Sequence, residues 1–236
     1  KPPLPFEGLD WQRVDQKARQ LYTPEEVDTL CQTGLSASKN GRQFADYLRF
    51  LQYSGARRNE ALVVRWQDVD FERRHVTIGA EGDSKNHEAR YVDFNPKLEE
   101  HLKEMHTRRQ PDSQWLFPSP QRGDKDIPAT TFMESLRLTR QASGCVCLDC
   151  QKLTVGADAP KCAHCGSERV ERRKQLLSDK LQKFGFHDLR HFFVSYAVMS
   201  GLDFMTIARW AGHKDGGILI GKVYGHLADE HRKTQA

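Results

Sequence analysis

Six residues scattered along this chain carry side chains that could act together on one phosphate: Arg57, Lys85, His187, Arg190, His213 and Tyr224. Two guanidiniums offer planar, bidentate donors to non-bridging oxygens. An ammonium and two imidazoles can hold or move protons, and a phenol can attack. His187 and Arg190 stand three apart in His187-Asp188-Leu189-Arg190-His191, on one face at a helix start. Arg57 follows Ser54-Gly55-Ala56, and Lys85 sits in Ser84-Lys85-Asn86. His213 ends Ala211-Gly212-His213, and Tyr224 lies in Val223-Tyr224-Gly225-His226-Leu227. Each alone has an ordinary explanation: a solvated arginine, a turn lysine, a histidine that packs a helix.

A second chemistry is concentrated between Cys145 and Cys165, which hold five of the six cysteines. Cys147 and Cys150 form one Cys-x-x-Cys pair, and Cys162 and Cys165 form another eleven residues on. Two such knuckles close a tetrahedral thiolate site, as in a zinc ribbon. Cys145 or His164 could replace a neighbour in the ligand set. Two disulfides would need an oxidising compartment, to which nothing in the sequence points. A closed four-thiolate site has no open position for a substrate, so this Zn²⁺ is expected to be structural.

These residues need a frame. Thr23-Pro24-Glu25-Glu26 is a helix start with a capping box, followed by Val27, Leu30 and Cys31 at helical spacing. Phe44, Tyr47, Leu48 and Leu51 mark a second amphipathic helix that ends near Ser54-Gly55, and a third starts around Arg57. Val76 to Ile78 and Ala89 to Phe94 read as strands joined across Gly82 to Glu88. Helices are expected over Leu98 to His106, over Thr131 to Gln141 and, three of them, from Phe186 with breaks at Gly201 and Gly216-Gly217. Phe192, Phe193, Tyr196 and Trp210 are core residues at helical spacing. The fold class is α+β: a mostly helical domain with one small antiparallel sheet and a small zinc-ribbon insertion.

The 236 residues suffice for one large domain or two small ones, and 38% hydrophobic against 29% charged residues is a soluble balance. No run of about 18 apolar residues is present, which excludes a transmembrane helix. No leader with a basic start and an apolar stretch opens the chain. Lys1, in place of Met, points to an excised or processed fragment. The net charge of +4 is a weak argument for nucleic acid, but its placement is not even. Arg169, Arg172, Arg173, Lys174, Lys180 and Lys183 cluster after the ribbon with only Glu171 and Asp179 against them. They are candidate DNA contacts, with a solvated helix face as the alternative.

The ordered series of boxes resembles the catalytic domain of the tyrosine recombinases, the phage integrase family. Ser54 to Leu62 fits the pattern Thr-Gly-x-Arg-x-x-Glu-Ala-Leu, with Arg57 as the first arginine and Glu60 supporting it. Lys85 stands at the strand-turn lysine, followed by Arg90-Tyr91-Val92. His187, Arg190 and His191 fill the His-x-x-Arg-His box, Gly212-His213 the Gly-His box, and Tyr224 the nucleophile position. The resemblance runs from about Thr23 to Leu227, interrupted by the ribbon. It divides the chain into a linker (1–22), a catalytic domain (23–142 and 172–236) and a zinc-ribbon insertion (143–171).

What the resemblance implies is a site-specific DNA recombinase or integrase working through a 3′-phosphotyrosyl link on Tyr224. Arg57 and Arg190 would neutralise transition-state charge, and Lys85 would protonate the leaving 5′ oxygen. His187 would take the phenolic proton or orient the phosphate, and His213 would donate to it, with His191 in support. A phenol of pKa near 10 is only about 0.1% ionised at neutral pH, a deficit of roughly 4 kcal/mol that such help must offset. No catalytic metal is implied. Double-stranded DNA is the implied partner, in a homo-tetramer on two sites that is a monomer when free. The setting would be DNA-associated and cytoplasmic, of bacterial or phage type, with no membrane partner.

Departures from the family pattern bear on these expectations. His213 and Tyr224 are eleven apart, about two more than the usual spacing, so a longer or more mobile loop could hold Tyr224 out of the site until partner and DNA assemble. No counterpart of the family's DNA-clamping helical domain precedes Thr23, so weaker DNA binding is expected. Residues 228–236 could pack on a neighbouring protomer. Two other readings remain open: a type IB topoisomerase-like or resolving enzyme with the same chemistry, and a non-catalytic zinc-ribbon DNA-binding protein on this scaffold.

Overall fold

The computed structural model describes residues 21–80, 88–120, 126–156 and 160–235, the stretch from 228 as helical backbone only. Helix α1 (Pro24–Ala37) starts at the expected capping box: the Thr23 amide donates to Glu26 Oε2 at 2.8 Å, and Thr23 Oγ1 accepts from the Glu26 amide. Helix α2 (Gly41–Ser54) buries Phe44, Tyr47, Leu48 and Leu51 completely, the face its spacing marks. It stops at Gly55, whose φ of +64° only glycine adopts without cost. A Cβ there would also lie 2.3 Å from the Phe193 ring. Short helix α3 (Arg58–Leu62) follows at once, its start pinned by the Tyr47 hydroxyl, which donates to the Arg58 carbonyl at 2.7 Å.

A 3₁₀ turn (Trp66–Asp68) leads into a sheet of β1 (Val69–Asp70), β2 (His75–Ile78) and β3 (Arg90–Asp93), antiparallel in the order β1-β2-β3. Register runs from His75 opposite Asp93 to Ile78 opposite Arg90. On β3 the period of two turns Arg90 and Val92 inward and Tyr91 and Asp93 outward. Helix α4 (Pro96–Thr107) is capped by Asn95, and α5 (Met133–Arg140) follows the Trp115 to Pro118 segment. Then comes a second antiparallel sheet, β4 (Gly144–Cys147), β5 (Leu153–Val155) and β6 (Val170–Arg173), in the order β5-β4-β6. Strand β6 runs two residues past the expected insertion boundary at 171.

The chain closes with α6 (Asp179–Gln182), α7 (Phe186–Met199), α8 (Phe204–Ala211) and α9 (Ile218–Gln235). The breaks fall at Gly201 and Gly216-Gly217, as the sequence predicts. One buried cluster unites α1, α2, α4, α5, the first sheet and the start of α7; a second joins α7, α8 and α9 through Val194, Val198, Ile207 and Ile220. Tyr22, at the end of the expected linker, is buried edge-on against Phe184 at 5.4 Å. The architecture is α+β and mostly helical, with small antiparallel sheets.

Candidate active site

Helix α8 ends at Gly212, in the left-handed region at φ +69°, and its last carbonyls point away from any further helical donor. Three consecutive ones are taken by guanidiniums from distant parts of the chain. The Trp210 carbonyl accepts from Arg90 Nε at 2.7 Å, the Ala211 carbonyl from Arg190 Nη2, and the Gly212 carbonyl from Arg57 Nη2 at 3.3 Å. Arg190 also donates to the Gly55 carbonyl at 2.8 Å, at the end of α2. Helix C-termini carry negative partial charge, so they suit cations. Glu60, buried, completes the frame: Oε1 accepts from Arg57 Nη1 at 2.7 Å and Oε2 from Arg90 Nη2 at 2.6 Å.

Three guanidiniums stand against one carboxylate, which pairs with two of them, and this leaves a surplus of positive charge beside a recess. Burial pulls the Arg190 guanidinium down to about 10, and repulsion from Arg57 and Arg90 adds to that. Burial works against the Glu60 charge, but hydrogen bonds and charge from Arg90 and Arg57 outweigh it and hold the carboxyl below its usual range. His213 follows Gly212 directly. Burial, then the Arg190 charge, pushes its imidazole below the usual histidine value, so it is neutral at pH 7. Its Nδ1 is buried without a hydrogen-bond partner among the described residues. Arg57, Arg90, Gly212 and His213 line one cavity of about 450 Å³. Arg57 also lines a second, of about 650 Å³, with Arg58, Arg140 and His187.

Tyr224 lies on α9, buried against α7, and its hydroxyl is hydrogen-bonded to His191 Nδ1. The turn from His213 to Gly217 is short, and α9 begins at Ile218. His187 is exposed, and its ring meets His191 edge-on at 4.6 Å. The imidazole hydrogen-bonded to the phenol is that of His191, which sequence reasoning placed in a supporting role. Lys85 lies outside the described residues.

The four thiols of Cys147, Cys150, Cys162 and Cys165 converge, with all Sγ atoms within 4.8 Å of one another. Cys147 and Cys165 are 3.5 Å apart, and Cys150 and Cys162 are 3.6 Å apart. Tetrahedral Zn–S bonds of about 2.3 Å require sulfurs about 3.8 Å apart, so the set fits the ion, and the spacing is far beyond an S–S bond. Cys145 and His164 stand outside it: Cys145 is buried on β4, and His164 Nε2 meets the Leu153 carbonyl at 2.9 Å. In the basic segment, Lys180 is engaged with Glu26 at 2.6 Å and lies over the Tyr22 ring, so it ties α6 to α1. Arg169 pairs with Asp149 at 2.6 Å and Arg173 with Glu171 at 3.1 Å. Arg172, Lys174 and Lys183 are exposed.

Arg90 is the site residue that sequence reasoning missed. It was read as part of a strand and of the pattern after Lys85, with no role assigned, yet an arginine at an inward position beside Val92 is the signal that could have found it.

The Phage integrase family pattern matches residues 20–231, and the chain belongs to that family. No curated protein sequence matches it. Solved structures with similar folds include XerA recombinase, at 16% identity and TM-score 0.53, covering 92% of this chain and 64% of that one. The Tn1549 transposon integrase in complex with circular intermediate DNA is similar at 14% identity and TM-score 0.58, covering 94% and 69%. XerH recombinase in a post-cleavage complex with a palindromic difH substrate matches at 17% and 0.56, covering 93% and 53%. This chain thus spans about two thirds of the length of the first of these.

Proposed function

We propose that this chain is the catalytic part of a site-specific DNA recombinase that cuts and rejoins DNA through Tyr224. One observation carries the reading: a phenol held by an imidazole lies within electrostatic reach of Arg190, which shares the end of α8 with Arg57 and Arg90 and their carboxylate Glu60. The phosphodiester is the anion that fits there. Arg57 and Arg190 would hold its non-bridging oxygens, with His213 as a neutral hydrogen-bonding group. The Tyr224 oxygen attacks phosphorus as its proton passes to His191, and the P–O5′ bond breaks. Lys85 supplies the proton that the 5′ oxygen takes up. The products are a 3′-phosphotyrosyl link and a free 5′-hydroxyl, and reversal with a new 5′-hydroxyl rejoins the strand. The cysteine set would hold a Zn²⁺ that stabilises the ribbon and takes no part in this step.

Double-stranded DNA is the partner, supported by the DNA complexes of the Tn1549 integrase and XerH. Arg172, Lys174 and Lys183 are exposed and outside the ion pairs of Arg169, Arg173 and Lys180, and they are the members of the basic segment most open to contact it. A tetramer on two sites, with the end of α9 packed on a neighbour, belongs to the same reading, as does a DNA-associated bacterial or phage setting. Among the described residues no helix is long and apolar enough to cross a membrane.

A nicked suicide duplex tests the assignment. The wild type should be trapped as a covalent adduct and Tyr224→Phe should not, while both bind DNA alike. Absence of an adduct from the wild type, or an adduct that survives Tyr224→Phe, would overturn it.

A further inference from the structure

We propose that Arg90 is a positioning residue for strand cleavage: it sets the Arg57 guanidinium through Glu60 and the end of α8. The inference rests on the recombinase reading and gives a role to a residue that the reading leaves without one.

Arg90 touches both supports of Arg57. Glu60 is shared, one oxygen for each arginine, and α8 is shared, Trp210 for Arg90 and Gly212 for Arg57. If Arg90 were an apolar side chain, Glu60 Oε2 would keep only the Arg57 amide at 3.1 Å, and the Trp210 carbonyl would lose its guanidinium. The carboxylate would then be free to turn, and Arg57 with it. Arg57 is the most exposed of the three arginines, with 28% of its side chain open, so little other packing fixes it. A guanidinium shifted by about 1 Å can cost on the order of 100-fold in rate.

Packing shows the same dependence. A Cβ on Gly212 would lie 3.2–3.3 Å from Cδ, Cζ and Nε of Arg90, so the arginine lies flat along the helix end. The glycine before His213 therefore serves two ends: it turns the backbone at φ +69° and it leaves Arg90 its place. Strand register does the rest. Arg90 opposes Ile78 on an inward position of β3, which carries the guanidinium under α8. A simple tie between sheet and helix would use the same contacts, so the test must separate stability from placement.

The test is a double-mutant cycle on single-turnover trapping with the nicked duplex, using the full chain. Arg90→Met should slow cleavage about 30- to 100-fold in the wild-type background, with DNA affinity changed less than about threefold. In an Arg57→Lys background the same substitution should cost less than about threefold, because lysine lacks the fork that grips Glu60 and Gly212. Equal losses in both backgrounds would mean a merely structural tie and overturn the proposal, as would wild-type cleavage by Arg90→Met. If thermal melting shows Arg90→Met to be unfolded, Arg90→Lys replaces it under the same criterion. Lysine keeps a charge for Glu60 but cannot also serve the Trp210 carbonyl, so a loss of about tenfold confined to the Arg57 background is expected. A wild type that forms no adduct defeats the recombinase reading and this one together; a wild-type adduct with uniform losses defeats this one alone.

Discussion

Glu60→Gln is the sharpest test of the charge frame, because it keeps volume and changes one charge. The wild-type carboxylate accepts from two guanidiniums at 2.7 and 2.6 Å while buried. Removing one partner of a buried ion pair costs roughly 3–5 kcal/mol. Glutamine retains one carbonyl oxygen for Arg57 or Arg90 but turns an amide N–H₂ toward the other, so about 2–4 kcal/mol is a reasonable net loss. For a chain of this size each kcal/mol moves Tm by about 2–4 °C, giving a fall of roughly 5–15 °C at pH 7. The pH dependence follows from the direction of the shift. The folded pKa of Glu60 lies below its ordinary 4.5, so its contribution is complete above about pH 4.5 and is lost as pH falls through the folded value. The gap between wild type and variant should therefore close on acidification. Sulfate should stabilise the variant more than the wild type, since three guanidiniums then face no carboxylate. Differential scanning fluorimetry across pH and sulfate concentration reads all of this. A Tm within about 2 °C of wild type at pH 7, or a gap that widens at low pH, would refute the reasoning.

His191→Asn should slow adduct formation by about 100- to 10,000-fold with DNA affinity retained, and a loss under threefold would remove it as the proton acceptor. Elemental analysis should find one zinc per chain, and Cys147→Ser with Cys162→Ser should release it and raise amide exchange across 144–173 before the helical core melts; retained zinc would contradict the four-thiolate site. Gly55→Ala forces φ +64° on a residue with a Cβ aimed at Phe193, so a loss of about 1–3 kcal/mol and slower cleavage are expected in melting and trapping assays, the second because the Gly55 carbonyl holds Arg190. The folded pKa of His213 is depressed, so its contribution to stability is complete above the ordinary 6.5 and falls away as pH drops below it. His213→Asn should flatten that decline between pH 7 and 5.

Local rules made much of this fold legible. The Thr23 box, the α2 face and the glycine breaks each depend on residues a few positions apart, and all lie where the spacing placed them. The boxes around Arg57, His187, Gly212 and Tyr224 were legible as a series, but their contacts were not. Which histidine meets Tyr224 depends on the rotation of α9 against α7, set by packing of Ile220 and Val194 across the second core cluster. Lys180 looked like a DNA contact because its partner, Glu26, is 154 residues away. Arg90 was hidden for the same reason: its meaning lies in α8, 120 residues on.

The two halves of the chemistry also draw on one reserve of charge. An ionised Tyr224 would favour the charged form of Arg190, as would a phosphodiester on the same guanidiniums. The surplus beyond Glu60 is small, and each anion that enters reduces what the next one gains. A phenolate formed before the phosphate bound would therefore compete with it for Arg190. Holding the proton on Tyr224, hydrogen-bonded to His191, until the scissile phosphate is seated avoids that competition. On the proposed mechanism the phenolic charge would then develop only as it passes into the P–O bond, where the arginines at the end of α8 would stabilise the same oxygens that receive it.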